Sequence, residues 1–201
     1  MSATPPAEFD FPLSWAGPDG LGESRFDDVA EAERPDVCDE GDDPAVALRR
    51  TLGMFATGVT VITATADAGV HGMTANSFTS VSLRPPLVLV CVLRSGTMHQ
   101  AILDGKAFGI SVLSSRQRPL AQYFAGRRPH DDQEFDLVDW RPGACTGVPI
   151  IGDALAWMEC RLDSVYDGGD HSIFLGAVLD LGRSAAADAL LFFGGEYRQL
   201  G

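Results

Sequence analysis

Residues Leu87 to Leu93 read LVLVCVL, a run without a single polar position. It is too short for an ordinary helix and rich in β-branched residues, so it reads as a strand. Successive strand residues point to opposite faces, and a strand apolar on both faces needs cover on both. The chain must therefore wrap a closed or two-sided core. Five further runs have strand character: VTVITATA from Val59, FGISVL from Phe108, ALAWMECRLDSVYD from Ala154, SIFLGAVLDLG from Ser172 and ALLFFGG from Ala189. No helix long enough for a parallel crossover separates them. A mainly β, largely antiparallel barrel with short flanking helices is the predicted fold, in place of a doubly wound parallel sheet.

Three helices are expected around this barrel. Val46, Leu48, Leu52 and Phe55 are spaced as one apolar helix face, which Gly58 is expected to end. TMHQAILDGK opens with a T-x-x-Q capping box at Thr97 and Gln100, and SSRQRPLAQYFAG repeats that logic with Ser114 and Gln117. The stretch from Arg127 to Gly152 reads as loop.

Charge divides the chain sharply. Residues 1–44 hold 13 Asp and Glu against 2 Arg, which leaves the rest almost neutral although the whole carries −13. The segment 1–43, rich in proline, glycine and like charges and without apolar periodicity, is predicted to be a disordered or loosely draped leader to one domain spanning 44–201. Its Phe9, Phe11, Leu13 and Trp15 form an apolar island. A near-neutral body offers no footprint for nucleic acid and no basic amphipathic face for a membrane. No export signal or membrane-spanning run is read. Cys38, Cys91, Cys145 and Cys160 lack C-x-x-C spacing and read as reduced thiols of a cytoplasmic protein.

Dinucleotide-fold, P-loop, zincin and hydrolase-elbow motifs are all missing, and His71, His99, His130 and His171 lack ligand spacing, so no metal site is expected. Three polar elements remain. In TANSFTSVSL, Phe78, Val81 and Leu83 can anchor the segment while Thr74, Asn76, Ser77 and Ser80 offer donors and acceptors suited to the polar edge of a buried heterocycle, or to capping turns at a strand end. In RSGTMHQAI, Ser95, Gly96 and Thr97 stand at a helix N-terminus beside Arg94, where an anion such as phosphate is favoured; a plain capping box accounts for Thr97 equally well. In DGGDHSIFLGAV, two glycines turn the chain before Asp170, His171 and a strand.

Taken in order, TGVTVITA, HGMTANSFTSVSLRPPLVLVCV, FGISVL with its following Gln and Phe-Ala pair, GDHSIFLGAV and LLFFGGEYRQL closely resemble the flavin reductase family of two-component monooxygenase systems, from about Leu48 to Leu200. The resemblance implies an FMN-binding split β-barrel, antiparallel and Greek-key-like, and a homodimer. It implies a flavin pocket, for FMN or FAD, lined by His71, Gly72, Met73, Thr74, Ala75, Asn76, Ser77, Cys91, Val92 and Leu93, with phosphate near Ser95 and Thr97 and an aromatic, Phe124, at the flavin. Gly169, Asp170, His171 and Tyr197 fall on the nicotinamide side, for NADH or NADPH, with His171 as the catalytic candidate. The implied activity is hydride transfer from NAD(P)H to flavin, with reduced flavin released to a partner monooxygenase. A flavin-binding module without catalysis and a split-barrel oxidase of an organic substrate are the alternatives. Ser82 is left between the site and the turn before Pro85 and Pro86, and the direction of Arg94 is left open.

Overall fold

The computed structural model describes residues 43–66, 69–126, 135–184 and 188–200. Apart from Asp43, the leader lies outside them, and so do Cys38 and His130. Helix α1 (Pro44–Leu52) is started by Asp43, whose Oδ1 accepts the Ala45 N–H at 2.8 Å, and by a proline in its first turn. It ends at Gly53, not at Gly58. Thr57 and Gly58 instead form a short strand, β1 (Thr57–Gly58), which pairs with the later β11 (Leu190–Phe193). The expected apolar helix face exists in sequence but is not covered: Leu48, Leu52, Met54 and Phe55 are exposed and no α1 residue is buried.

Seven strands make the main sheet: β2 (Thr60–Ala66), β3 (Gly69–Ala75), β4 (Thr79–Leu83), β5 (Pro86–Leu93), β6 (Ala107–Val112), β9 (Ala156–Gly168) and β10 (His171–Arg183). Their order is β3-β2-β6-β9-β10-β5-β4, with antiparallel pairing throughout. The two edge strands, β3 and β4, are consecutive in sequence and joined by residues 76–78 alone. Laid flat, the edges of seven strands would stand about 29 Å apart. Residues 76–78 reach about 14 Å at full extension. The sheet has to curl until its edges meet, which makes it a barrel with a seam at Asn76, Ser77 and Phe78.

The barrel is filled by Ile62, Ala64, Val88, Val90, Val92, Phe108, Ile110, Cys160 and Phe174, and helix α2 (Thr97–Gly105) inserts Met98, Ala101 and Ile102 into the same cluster. Inward residues of β5 are Val88, Val90 and Val92; Leu87, Leu89 and Cys91, on the other face, are only half-buried. The LVLVCVL strand thus has one dry face and one that this chain leaves partly open, against the expectation of cover on both. Strands β9 and β10 each carry one bulge, between Leu162 and Ser164 and between Val178 and Asp180.

A second apolar cluster lies outside the barrel, where helix α3 (Arg118–Ala125) and β11 press Ala121, Phe124 and Leu190 against Val59 and Val61. The Ser114–Gln117 capping box is formed as predicted: the Ser114 N–H donates to Gln117 Oε1 at 3.0 Å, ahead of a 3₁₀ turn that leads into α3. The region read as loop holds two short paired strands, β7 (Trp140–Pro142) and β8 (Pro149–Ile151). A final strand, β12 (Glu196–Gln199), pairs with β11.

One fully buried charge holds the β7–β8 connection on the barrel. Glu159 accepts the Cys145 N–H at 3.0 Å, the Thr146 hydroxyl at 2.7 Å and the Thr146 N–H, and Gly143 approaches so closely that a Cβ there would lie 2.5 Å from the carboxylate. Burial alone would raise the Glu159 pKa. The hydrogen bonds from Thr146 and from the N–H groups of Cys145, Thr146 and Gly147 outweigh it and hold the carboxyl below its ordinary 4.5. A carboxyl whose folded pKa is depressed stabilises the fold above its unfolded pKa, and that contribution disappears as pH falls through the folded value. Glu159→Gln, which cannot accept from all these donors, is expected to lose about 1.5–3 kcal/mol at pH 7. Calorimetry should find its Tm lowered by about 5 °C or more, with a flatter stability profile than wild type below pH 4.5. An unchanged Tm would show that the connection holds itself.

Candidate active site

Three polar segments gather at one end of the barrel. The first is the seam and the strand leading to it. The Ser77 hydroxyl donates to the Cys91 carbonyl at 2.9 Å and accepts the Cys91 N–H at 3.1 Å, so a side chain stands in for a ladder partner between the seam and β5. Thr74 donates to the Ala121 carbonyl of α3 at 2.7 Å, and Ser82 Oγ accepts the Arg84 N–H at 3.2 Å in the turn before the prolines. These hydroxyls are structural ties first, and Ser82 belongs to the turn. Asn76 is exposed at the seam, while Met73 and Ala75 pack against the barrel core and His71 is buried opposite Ala64. Gly72 lies beneath Phe124: an added Cβ would sit 2.3 Å from the ring, so glycine is what lets α3 dock on β3. Phe124 itself is a core side chain, packed against Tyr123 and Phe135.

The second segment is the turn from β5 into α2. Cys91 and Leu93 face the open side of the sheet and Val92 faces the core, so only the first two present side chains there. Burial pushes the Cys91 thiol pKa up. The helix begins with Gly96 as N-cap and Thr97 as its first residue, and Gln100 Nε2 donates to Asp104 at 2.7 Å. The predicted Thr97–Gln100 capping box is therefore not formed: glycine takes the cap position and the glutamine turns to an acid one helical turn on. Ser95 and Thr97 are exposed at this helix start.

The third segment is the Asp167–His171 turn between β9 and β10. Gly169 adopts φ +78°, a conformation that favours glycine, and donates its N–H to Asp167 Oδ1 at 2.9 Å. His171 Nδ1 lies 2.7 Å from Asp170 Oδ1. The register puts His171 opposite Leu93, which seats this turn directly beside the second segment. Arg94 joins them: its backbone N–H donates to the Asp170 carbonyl at 3.0 Å, its Nε to the His171 carbonyl at 3.1 Å and its terminal nitrogen to Asp167 Oδ2 at 2.8 Å. The Gly169 N–H and the Arg94 guanidinium hold the Asp167 carboxyl below its ordinary pKa, and the His171 ring does the same for Asp170.

Underneath, His99 from the first turn of α2 lies edge-on to Phe174 and places Nε2 2.9 Å from Ser172 Oγ. Burial, aided by Arg94, lowers its pKa. Nothing in the sequence joins His99 to the Asp167–His171 turn, because the pairing of β5 with β10 brings them together. Tyr197 is not gathered here within one chain. It packs on Phe192 in the second cluster, which shares no residue with the turn.

Residues 52–201 match the flavin reductase like domain. The chain belongs to that family. An NADH-dependent FAD reductase of Streptomyces globisporus is 48% identical over 155 residues, 77% of this chain and 85% of the relative. HsaB of Mycobacterium tuberculosis, the reductase subunit of a flavin-dependent monooxygenase, is 40% identical over 151 residues, 74% of this chain and 79% of its own. Among solved structures, the Streptomyces globisporus C-1027 NADH:FAD oxidoreductase in complex with NAD and FAD fragments superposes with TM-score 0.73 at 46% identity, covering 79% of this chain and 93% of that one.

The donor set suits the flavin that this family's name implies. At the start of α2, glycine occupies the cap and so puts no side chain over the first-turn N–H groups, and that turn holds no acid to repel a phosphate. Asn76 is exposed at the seam, and Cys91, bonded to the neighbouring Ser77, is half-buried. Among the described residues no three His, Cys, Asp or Glu side chains come together to hold a metal ion.

Since Ser77 closes the seam, Ser77→Ala should act on stability and on the site together. Removing one hydroxyl that both donates and accepts is expected to cost about 1–3 kcal/mol. Flavin titration should weaken in step with the fall in denaturation midpoint. Weaker flavin binding at unchanged stability would make Ser77 a ligand contact only.

Proposed function

We infer that this chain is an NAD(P)H-dependent flavin reductase, which passes a hydride from the nicotinamide to FMN or FAD and supplies reduced flavin to a partner monooxygenase. What carries the reading is the joining of the three segments: the seam tied to Cys91 through Ser77, and the β5–α2 turn bonded to the Asp167–His171 turn through Arg94. A flavin carrier has no use for a second subsite beside the first. NADH is the donor that the relatives' names favour.

Flavin, when bound, supplies the hydride acceptor. The chain's part is to hold and orient. Ser95, Thr97 and the α2 N-terminus would hold phosphate; Asn76, with the backbone of the seam, would meet the polar edge of the ring; Gly72 and Phe124 support that strand from behind. Hydride transfer needs donor and acceptor stacked and water excluded, and asks no side chain to be nucleophile or general base. His171, braced by Asp170, would orient the nicotinamide with Gly169 beside it.

A homodimer completes this reading. The open face of β5, β9 and β10 carries Leu87, Leu89, Ile173, Leu175 and Tyr166, with Tyr166 54% exposed, and the same face carries Cys91 and His171. A second copy seated there would bury the apolar face and wall the site, and two-fold dimers are the commonest such assemblies. A partner copy is also the natural source of the aromatic that Tyr197 does not supply within its own chain. A cytoplasmic location is supported by the three described cysteines, all free thiols. No described helix is long and apolar enough to cross a membrane.

An absorbance assay with NADH, NADPH, FMN and FAD and no other substrate decides the activity. Nicotinamide oxidation that requires added flavin is expected; none would leave a binding module, and dependence on an organic substrate would mean an oxidase. In that assay His171→Ala should raise KM for NADH or slow hydride transfer by about tenfold, with flavin affinity near wild type. Equal losses in both would assign His171 to the fold. Sedimentation should give twice the 21.4 kDa chain mass, and an active monomer would refute the dimer.

A further inference from the structure

Arg94 stands at the start of the turn that leads to Ser95 and Thr97, where a cation would serve as a phosphate ligand. Its polar contacts point elsewhere. Its backbone N–H, its Nε and a terminal nitrogen all donate to the Asp167–His171 turn, reaching the Asp170 carbonyl, the His171 carbonyl and Asp167 Oδ2 at 3.0, 3.1 and 2.8 Å. A guanidinium is a rigid planar fork, so a side chain engaged at two of its nitrogens has its orientation set. The turn it grips closes the β9–β10 hairpin, with His171 paired to Gly168 and Ser172 to Asp167. Its residues Asp167, Gly168, Gly169 and Asp170 are exposed, so Arg94 ties an exposed hairpin end to the β5–α2 turn.

We propose that Arg94 is a positioning residue for the nicotinamide side of the site, fixing the backbone of His171 through the Asp167–His171 turn, and not a ligand of the flavin phosphate. This rests on the reading of His171 as the nicotinamide-side residue. Arg94 does for the turn what a second shell does for a catalytic group: it holds the backbone from which the imidazole projects. Asp167 is the other half of the device. Its two carboxylate oxygens are divided, one closing the turn on Gly169 and one anchoring Arg94. The arrangement also ties the two subsites, because residues 95–97, read as the phosphate site, follow directly on the arginine that holds His171.

The two roles for Arg94 separate through Asp167, since an acid cannot be a phosphate ligand. Arg94→Ala, Asp167→Asn and the double variant would be compared with His171→Ala by three measurements: the ¹H–¹⁵N signals of the His171 imidazole without ligands, NADH saturation kinetics, and flavin titration. Arg94→Ala and Asp167→Asn are each expected to shift or broaden the His171 signals and to raise KM for NADH by about tenfold. The double variant should be no worse than either single one, and flavin affinity should stay within about twofold of wild type. Arg94→Lys, which keeps the charge and loses the fork, should fall between wild type and Arg94→Ala and guards against misfolding of the alanine variant. Weakened flavin binding in Arg94→Ala with normal NADH kinetics in Asp167→Asn would overturn the proposal and make Arg94 a phosphate ligand. Unmoved His171 signals in both variants would overturn it as well. If His171→Ala leaves NADH saturation untouched while Arg94→Ala and Asp167→Asn still move the imidazole signals, the nicotinamide reading fails and takes the positioning role with it.

Discussion

Closure of the barrel is the constraint on which the remaining structure depends. Seven strands must bring their first and last members together because those two strands are neighbours in the chain, and residues 76–78 are all that joins them. At the seam the Ser77 hydroxyl exchanges two hydrogen bonds with the backbone of Cys91. The same end of β5 carries Leu93, held opposite His171 by the pairing with β10, and the arginine that follows. Small hydroxyl and amide side chains suit such a place, because a seam needs short groups able to bond a neighbouring backbone without filling the space beside it.

The site assembled there owes little to proton chemistry. Its polar side chains are spent on one another: Arg94 on Asp167, Asp170 on the His171 ring. His99 is partly desolvated against Phe174 and Ser172. Such a network fixes backbone positions and leaves the reactive groups to be brought in by ligands, which is the division of labour expected where a cofactor carries the chemistry. The buried Glu159 is a separate case. Its charge is met by backbone N–H groups and a hydroxyl of the β7–β8 connection.

Much of this was legible in the sequence, and the failures have physical causes. The six apolar runs all became strands, and the Ser114–Gln117 box formed because both partners are local. Strands β3 and β4 were harder to read, since two glycines and a threonine interrupt the apolar residues of β3, and β4 is almost wholly exposed. Thr97 has the right neighbours for a cap, but Gly96, one position earlier, adopts the extended conformation that a cap needs. Helix α1 is capped at Gly53, so Phe55, which continued the apolar period in sequence, lies in the turn before β1. In β9 and β10 the inward face changes parity at each bulge, so no single period-two pattern runs the length of either strand. The directions of Arg94 and Glu159 were beyond reach, for their partners lie far away in sequence and carry no motif. Of the segments the family resemblance named, the fold brings the seam, the β5–α2 turn and the Asp167–His171 turn together and leaves Tyr197 apart; which of their side chains are ties depends on pairing between distant strands.

The contact between Gly72 and Phe124 has a bearing on how this protein can change over generations. A ring carbon lies 2.3 Å from where the first carbon of any side chain at position 72 would have to be. Position 72 is closed to every other amino acid for as long as position 124 is aromatic and α3 keeps its depth. A change at either place has to be answered at the other, so the two positions, 52 residues apart, are expected to drift as a pair.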